Sequence, residues 1–197
     1  MTREQEAAIE QLTDSKAPKR VSAANKLGRK PCPQEAGPKL LEAFEAELDG
    51  TRSWKVLAAQ AKALARNPHP PAHDFLLAIA GDDLGGSAVN EAVGFAAMGS
   101  GRDEPDATLR ALLGDEDDVP TDRLAAVIGA LTILGEDPPE LDAALVERLV
   151  ELAEEEPPNT VPHGAHRRRR VNDLRCELQN AAPAQRDRVA RLGELSL

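Results

Sequence analysis

The residues of this chain whose types can do chemistry are its four histidines, its two cysteines and its acidic loops. His69, His73 and Asp74 fall together in NPHPPAHD and offer three possible metal ligands. Four-residue spacing aligns two histidines only on a helix, and Pro70-Pro71 between them prevents that helix. No metal is expected there, and Asp74 is expected in the first turn of the helix it begins. His163 and His166, in VPHGAHRRRR, have no cysteine or carboxylate at ligand spacing and stand beside a cationic run that repels a metal ion. They are expected in a loop. A Cys–His nucleophile would need Cys32 or Cys176 to meet a histidine across the fold, and no local signature brings them together. Cys32, between Pro31 and Pro33, is expected in a loop, exposed or half buried. Cys176, read with Val171, Leu174 and Leu178, is expected in the core.

Two further segments imitate ligand-binding loops. GDDLGGS, from Gly81 to Ser87, is glycine-rich and precedes a helix, but it lacks the lysine of a phosphate loop and carries two carboxylates that repel phosphate. It reads as a turn. DEDDVPTDRL, from Asp115, shares only its acidity with a calcium loop, because the required glycine and terminal glutamate are missing. The sequence therefore leads us to expect no catalytic residue, no metal and no cofactor.

The elements that position these residues are helices. Of the 197 residues, 41% are hydrophobic and only 2% aromatic, so the apolar content is mainly Ala and Leu, which favours helices and suits sheets poorly. The fold class is all-α. The chain is long enough to bury a core without disulfides, and its two cysteines are too few for a disulfide framework. The charged stretch Met1 to Leu12 is unlike a signal peptide, which gives a cytoplasmic expectation. The richest apolar run, Leu124 to Leu134, is 11 residues, short of the roughly 18 that a membrane span requires.

Start and stop signals place helices at about 3–12, 17–27, 38–48, 52–66, 72–80, 87–98, 106–113, 122–134, 139–155, 168–180 and 184–192. Thr51 is expected to cap the helix that begins at Arg52, after Asp49-Gly50 ends the one before. Thr121, after Pro120, repeats that start signal, and Pro138-Pro139 presets the first turn of the next helix. Every second helix ends in a large apolar residue followed by a small one: Leu27-Gly28, Leu64-Ala65, Met98-Gly99 and Leu134-Gly135, at offsets of 37, 34 and 36. Three positions upstream stand Ala24, Ala61, Phe95 and Leu131, and three further Val21, Ala58, Ala92 and Ile128, which together make one helical face. A fifth copy ends near Leu178. Small residues crowd two of these helices, Ala58 to Ala65 and Gly94 to Ala97, and allow close approach of their axes. The helix LAAVIGALTIL is apolar all round and is expected to be buried between neighbours. Trp54 with Phe44, and Phe75 with Phe95, are expected to pack in the cores of two hairpins; the alternative for Trp54 is an anchor for a partner, which requires it to be exposed.

A period of this length implies stacked helical hairpins. Through APKRVSAANKLGRKP, SWKVLAAQAKALARNP, SAVNEAVGFAAMGSG and TDRLAAVIGALTILGEDP the chain resembles the HEAT and armadillo-like repeat family, in its short bacterial HEAT-like form, over most of residues 15–156. The resemblance implies an α-solenoid of about five antiparallel hairpins in one domain. The repeats fall at roughly 1–30, 36–67, 71–100, 105–136 and 138–181, with a terminal cap at 182–197. It also implies scaffold or regulatory work by binding another protein.

Charge is segregated along this frame. Residues 67–156 carry 4 basic and 21 acidic side chains, although the net charge of the whole chain is only −10. The acids gather at helix ends: Asp82-Asp83, Asp103 to Asp106, Asp115-Glu116-Asp117-Asp118, Glu136-Asp137 and Glu154-Glu155-Glu156. Such loops also keep an Ala/Leu-rich protein soluble. As a docking surface they favour a basic protein partner and repel nucleic acid. Arg167-Arg168-Arg169-Arg170 opposes the dipole of the helix it opens; it is expected first to be neutralised within the chain, by acids such as Glu154 to Glu156, and otherwise to meet an acidic partner or phosphates or to stand solvated. An immunity-type inhibitor of a basic toxin or nuclease fits the same layout. Some HEAT-like enzymes are lyases or DNA glycosylases, but no lyase constellation is present and the acidic middle has the wrong sign for DNA.

Overall fold

Prolines, glycines and short polar side chains set the helix ends, and ten α-helices result among the described residues, with no strand. The structure, a computed structural model, describes residues 1–51, 53–114, 119–154 and 162–183, the last without the side chains of 162–165. The helices are α1 (Arg3–Gln11), α2 (Ala17–Arg29), α3 (Pro33–Asp49), α4 (Trp54–Arg66), α5 (His73–Ile79), α6 (Ser87–Ser100), α7 (Pro105–Leu113), α8 (Thr121–Leu134), α9 (Ala143–Glu154) and α10 (Pro162–Ala181). A 3-10 turn, Pro70–Ala72, leads into α5. The helix expected at 184–192, like most of the expected cap, lies outside the described residues.

The all-α class is borne out, and several helix starts need correction. Helix α3 begins at Pro33 rather than Pro38, because Pro33 opens the first turn and the helix runs on through Pro38. Helix α4 begins at Trp54 with Ser53 before it, and the Thr51 hydroxyl donates to Glu47 instead of capping. Helix α9 begins at Ala143, past Pro138-Pro139, since the Asp142 carboxylate accepts from the Ala144 and Leu145 amides, both at 3.0 Å. Helix α10 begins at Pro162, so His166 is helical and the arginine run lies inside the helix instead of opening it.

Helices α2, α4, α6, α8 and α10 pack each on the next in chain order, and each odd-numbered helix packs on the even one that follows it. The residues that recur in the sequence lie between these layers: Leu27, Leu64, Met98, Leu134 and Leu178 are all buried. Glycines bring the even helices close together. A Cβ added at Gly94 would stand 1.8 Å from the Ala126 carbonyl oxygen, and one at Gly129 would stand 1.8 Å from that of Glu91. Helix α8 is buried at every position from 124 to 134 except Thr132, as its all-round apolar pattern requires.

Two polar devices tie neighbouring hairpins together. Asn67, fully buried, accepts from the Cys32 amide (2.7 Å) and donates to the carbonyls of Leu27 (3.1 Å) and Ala63 (2.8 Å). It thereby joins the ends of α2 and α4 to the start of α3. Arg20 of α2 pairs with the buried Glu47 of α3 at 2.9 Å. The aromatic pairing differs from expectation, because Phe44 meets Phe75 edge to face at 6.4 Å, across hairpins. Trp54 is 51% exposed and Phe95 half buried, so neither belongs to the core pairs expected of them. No helix among the described residues is long and apolar enough to cross a membrane.

Candidate functional site

Helix α3 carries Glu45, Leu48 and Asp49 on one side, at a spacing of three and then one. Opposite them α5 presents Phe75 and Ile79, and the turn after α5 adds Asp82, Asp83 and Leu84. These eight residues enclose a pocket of about 500 Å³. Its floor is apolar, with Leu48, Phe75 and Ile79 half buried and Leu84 buried. Its rim is four exposed carboxylates, and no basic residue lines it.

The turn is fixed by local chemistry. Gly85 and Gly86 adopt φ of 87° and 138°, which ordinary side chains resist, and let the chain reverse into α6. Asp83 accepts from the Gly85 amide at 3.1 Å, and buried Asn90 donates to the carbonyls of Ala80 and Asp82 at 3.0 and 2.9 Å. The expected turn at GDDLGGS is therefore present, and its two aspartates are held at the mouth of the pocket. The negative field extends toward α8: burial first, and then Asp83, push the Asp122 carboxyl above the ordinary aspartate value, against His166 and Arg170.

Acidic residues at the opposite ends of the helices meet arginines. Arg66 pairs with Glu136, Arg102 with Asp137 at 3.2 Å and Arg110 with Asp142 at 2.7 Å. The acidic middle is thus partly neutralised on that edge, while the pocket rim meets no cation among the described residues. A site with an apolar floor and a carboxylate rim can hold a group with a hydrocarbon body and a positive end, such as a lysine or arginine side chain.

The other expected site residues are scattered. Glu154 is exposed at the end of α9, and Asp115, Glu116, Asp117, Asp118, Glu155 and Glu156 lie outside the described residues. Arg170 pairs with Glu91 (2.7 Å) and Asp173 (3.3 Å) and donates to Ser87 (2.8 Å), which corrects the expected pairing with Glu154. Arg167 donates to the Val119 carbonyl at 2.7 Å, while Arg168 and Arg169 stand exposed on the same helix. His73 lies 3.0 Å from the Thr108 hydroxyl, and no three His, Cys, Asp or Glu among the described residues converge as metal ligands.

The exposure expected of each cysteine is reversed, although Cys32 does lie outside a helix, just before α3. Cys32 is buried because its amide is held by Asn67 at the start of α3. Cys176 is exposed because the buried face of α10 runs through Val171, Leu174, Arg175 and Leu178, and position 176 falls off it. Glu45, Leu48, Asp49, Phe75 and Ile79 went unnoticed as site residues. Glu45, Leu48 and Asp49 share one helical face, but they lie in the first third, where basic residues outnumber acidic ones, and only tertiary packing brings them to Asp82 and Asp83. Compared with protein-family models, with curated proteins and with solved structures, the chain matches none.

Proposed function

We propose that this chain is an α-solenoid of the HEAT-like kind, with hairpins α1–α2, α3–α4, α5–α6, α7–α8 and α9–α10, and that it works by binding a protein rather than by catalysis. The chain-order packing of the even helices favours this reading, since in a solenoid each repeat contacts only its neighbours. The observation that carries the functional part is the acid-rimmed apolar pocket between α3 and α5. Its partner is a protein that offers a basic segment, with an aliphatic stem against Phe75 and Ile79 and a cation between Glu45, Asp49, Asp82 and Asp83. In this reading no catalytic role falls to the hydroxyl–histidine neighbours, Thr108 with His73 at 3.0 Å and Ser87 with His166 at 3.5 Å.

Binding of a fluorescein-labelled peptide of lysine and leucine residues spaced by glycine, followed by anisotropy, tests the reading. Saturable binding is expected that weakens with salt. It should weaken about tenfold in the Asp82→Asn/Asp83→Asn variant, because two rim charges are lost. The Glu6→Gln/Glu10→Gln variant changes the net charge equally on exposed positions of α1 and should bind as wild type does. Equal weakening in both variants would reduce the effect to net charge and sink the pocket.

A further inference from the structure

We infer that the face formed by α2, α4, α6 and α8 is a second docking groove, and that it takes an acidic segment of a protein. The groove encloses about 360 Å³ and draws its lining from these four helices and the turn after α8 alone, so it shares no residue with the pocket between α3 and α5. Its floor is shallow and apolar, with Ala24 of α2, Ala59 and Ala63 of α4, and half-buried Phe95 of α6.

Five charged side chains line it: Arg29, Lys62, Arg66, Glu91 and Glu136. Three of them are engaged inside the chain. Glu91 is held by Arg170 at 2.7 Å. Glu136 is held by Arg66, whose guanidinium also lies over the Phe95 ring, 5.4 Å from its centroid. Arg29 and Lys62 remain, exposed on adjacent helices, with no carboxylate facing them among the described residues. Asn25, one turn before Arg29, adds an amide to the same end. Arg29 lies in the last turn of α2, where a cation also suits the helix dipole, but Lys62 is a full turn inside α4 and has no such reason to be there.

The α2–α4 end of the groove is therefore cationic on a chain whose net charge is −10, and the α6–α8 end holds its two carboxylates in ion pairs and carries the aromatic ring. A ligand that fits brings one or two carboxylates to Arg29 and Lys62 and lays an apolar side chain along Ala59 and Ala63 toward Phe95. That is a short acidic and aliphatic peptide segment. A nucleic acid fits poorly, because two cations beside two carboxylates neutralise few phosphates and Arg66 already covers the ring on which a base would stack.

The test uses the full chain and three probes: a fluorescein-labelled peptide of glutamate and leucine spaced by glycine, its lysine counterpart, and a short oligothymidylate. The glutamate peptide should bind saturably against the protein's net charge. Binding should weaken about tenfold or more in Arg29→Glu/Lys62→Glu, which reverses two exposed charges, and stay unchanged in Asp82→Asn/Asp83→Asn. Circular dichroism should show the reversal variant as helical as wild type. The inference is overturned by no saturable binding of the glutamate peptide, by equal binding to the reversal variant, or by oligothymidylate binding more tightly than the peptide. Loss of lysine-peptide binding alone would remove the acid-rimmed pocket and leave this groove standing.

Discussion

Gly94 of α6 lies so close to Ala126 of α8 that a Cβ on the glycine would stand 1.8 Å from the Ala126 carbonyl oxygen. The obstacle is backbone, so it cannot turn aside as a side chain would. Gly94→Ala should cost about 3 kcal/mol or more, at or beyond the upper end of overpacking effects. Gly129→Ala, which meets the Glu91 carbonyl oxygen at 1.8 Å, should do the same. Gly28→Ala is the contrast, because its Cβ would rest 3.5 Å from the Ala63 Cα, an ordinary contact. Alanine also has the better helix propensity, so Gly28→Ala should be neutral or raise stability by up to about 1 kcal/mol. Urea midpoints of the three variants check both signs, and a mild Gly94→Ala would mean that α6 and α8 are free to separate.

The packing explains which parts of this arrangement the sequence could express. Leu27, Leu64, Met98 and Leu134 were legible because burial on one helix face repeats with the helix period. The all-helical class was legible because alanine and leucine dominate the apolar content. Helix starts were less so. Pro38 and Thr51 carry good local start signals, but Pro33 and the demand of Glu47 for the Thr51 hydroxyl prevail over them. The candidate pocket was half legible. Asp82 and Asp83 announce themselves as an acidic turn, whereas Leu48, Phe75 and Ile79 look like any other apolar helix positions until α3 and α5 are packed side by side. The pairing of Glu91 with Arg170 joins positions 79 residues apart, which no periodicity encodes.

Asn67 is the next point of attack, since its amide serves three backbone groups of three segments while wholly buried. Asn67→Ala would leave the Cys32 amide and the Leu27 carbonyl without their partner. Each such buried group costs about 1–3 kcal/mol, so a loss of about 2–6 kcal/mol is expected in chemical denaturation. A loss under about 0.5 kcal/mol, within the range of an ordinary surface change, would mean that the joint between the first two hairpins does not depend on this side chain.

Glu47 gives the fold a dependence on pH. Its burial opposes ionisation, but the Thr51 hydroxyl, the Ser53 amide and Arg20 outweigh that and hold its carboxyl below the ordinary glutamate value. A carboxyl depressed in the folded state contributes stability above its unfolded value, about pH 4.3, and loses it as pH falls through the folded value. Glu47→Gln should therefore cost about 1–3 kcal/mol at neutral pH. The gap from wild type should narrow as pH falls below about 4.3. Asp122 and Glu177 act in the opposite sense, because burial raises both, so their charged forms weigh against the fold at neutral pH and that burden lifts on acidification. Urea titrations of the two proteins from neutral to acidic pH check the sign, and a gap that stays constant would assign the role of Glu47 to shape alone.

The two thiols and the single tryptophan report on the exposure of α10 and α4 without a partner. Cys176 is exposed on α10, so a thiol reagent should reach and modify it in the native protein. Cys32 is buried, and burial, followed by the charge of Glu35, pushes its thiol above the ordinary value, so little of it is thiolate at neutral pH. One thiol should therefore be modified quickly in the native protein and the second only on unfolding. Cys176→Ser should abolish the fast phase and leave stability within about 0.5 kcal/mol, as expected for a surface change. Trp54, 51% exposed with Lys55 over its ring at 5.3 Å, should emit as indole in water does and be open to acrylamide quenching. Two slow thiols with a shielded, blue-emitting tryptophan would mean that both helices pack against something, and a second copy of the chain would be the first occupant to test by sedimentation.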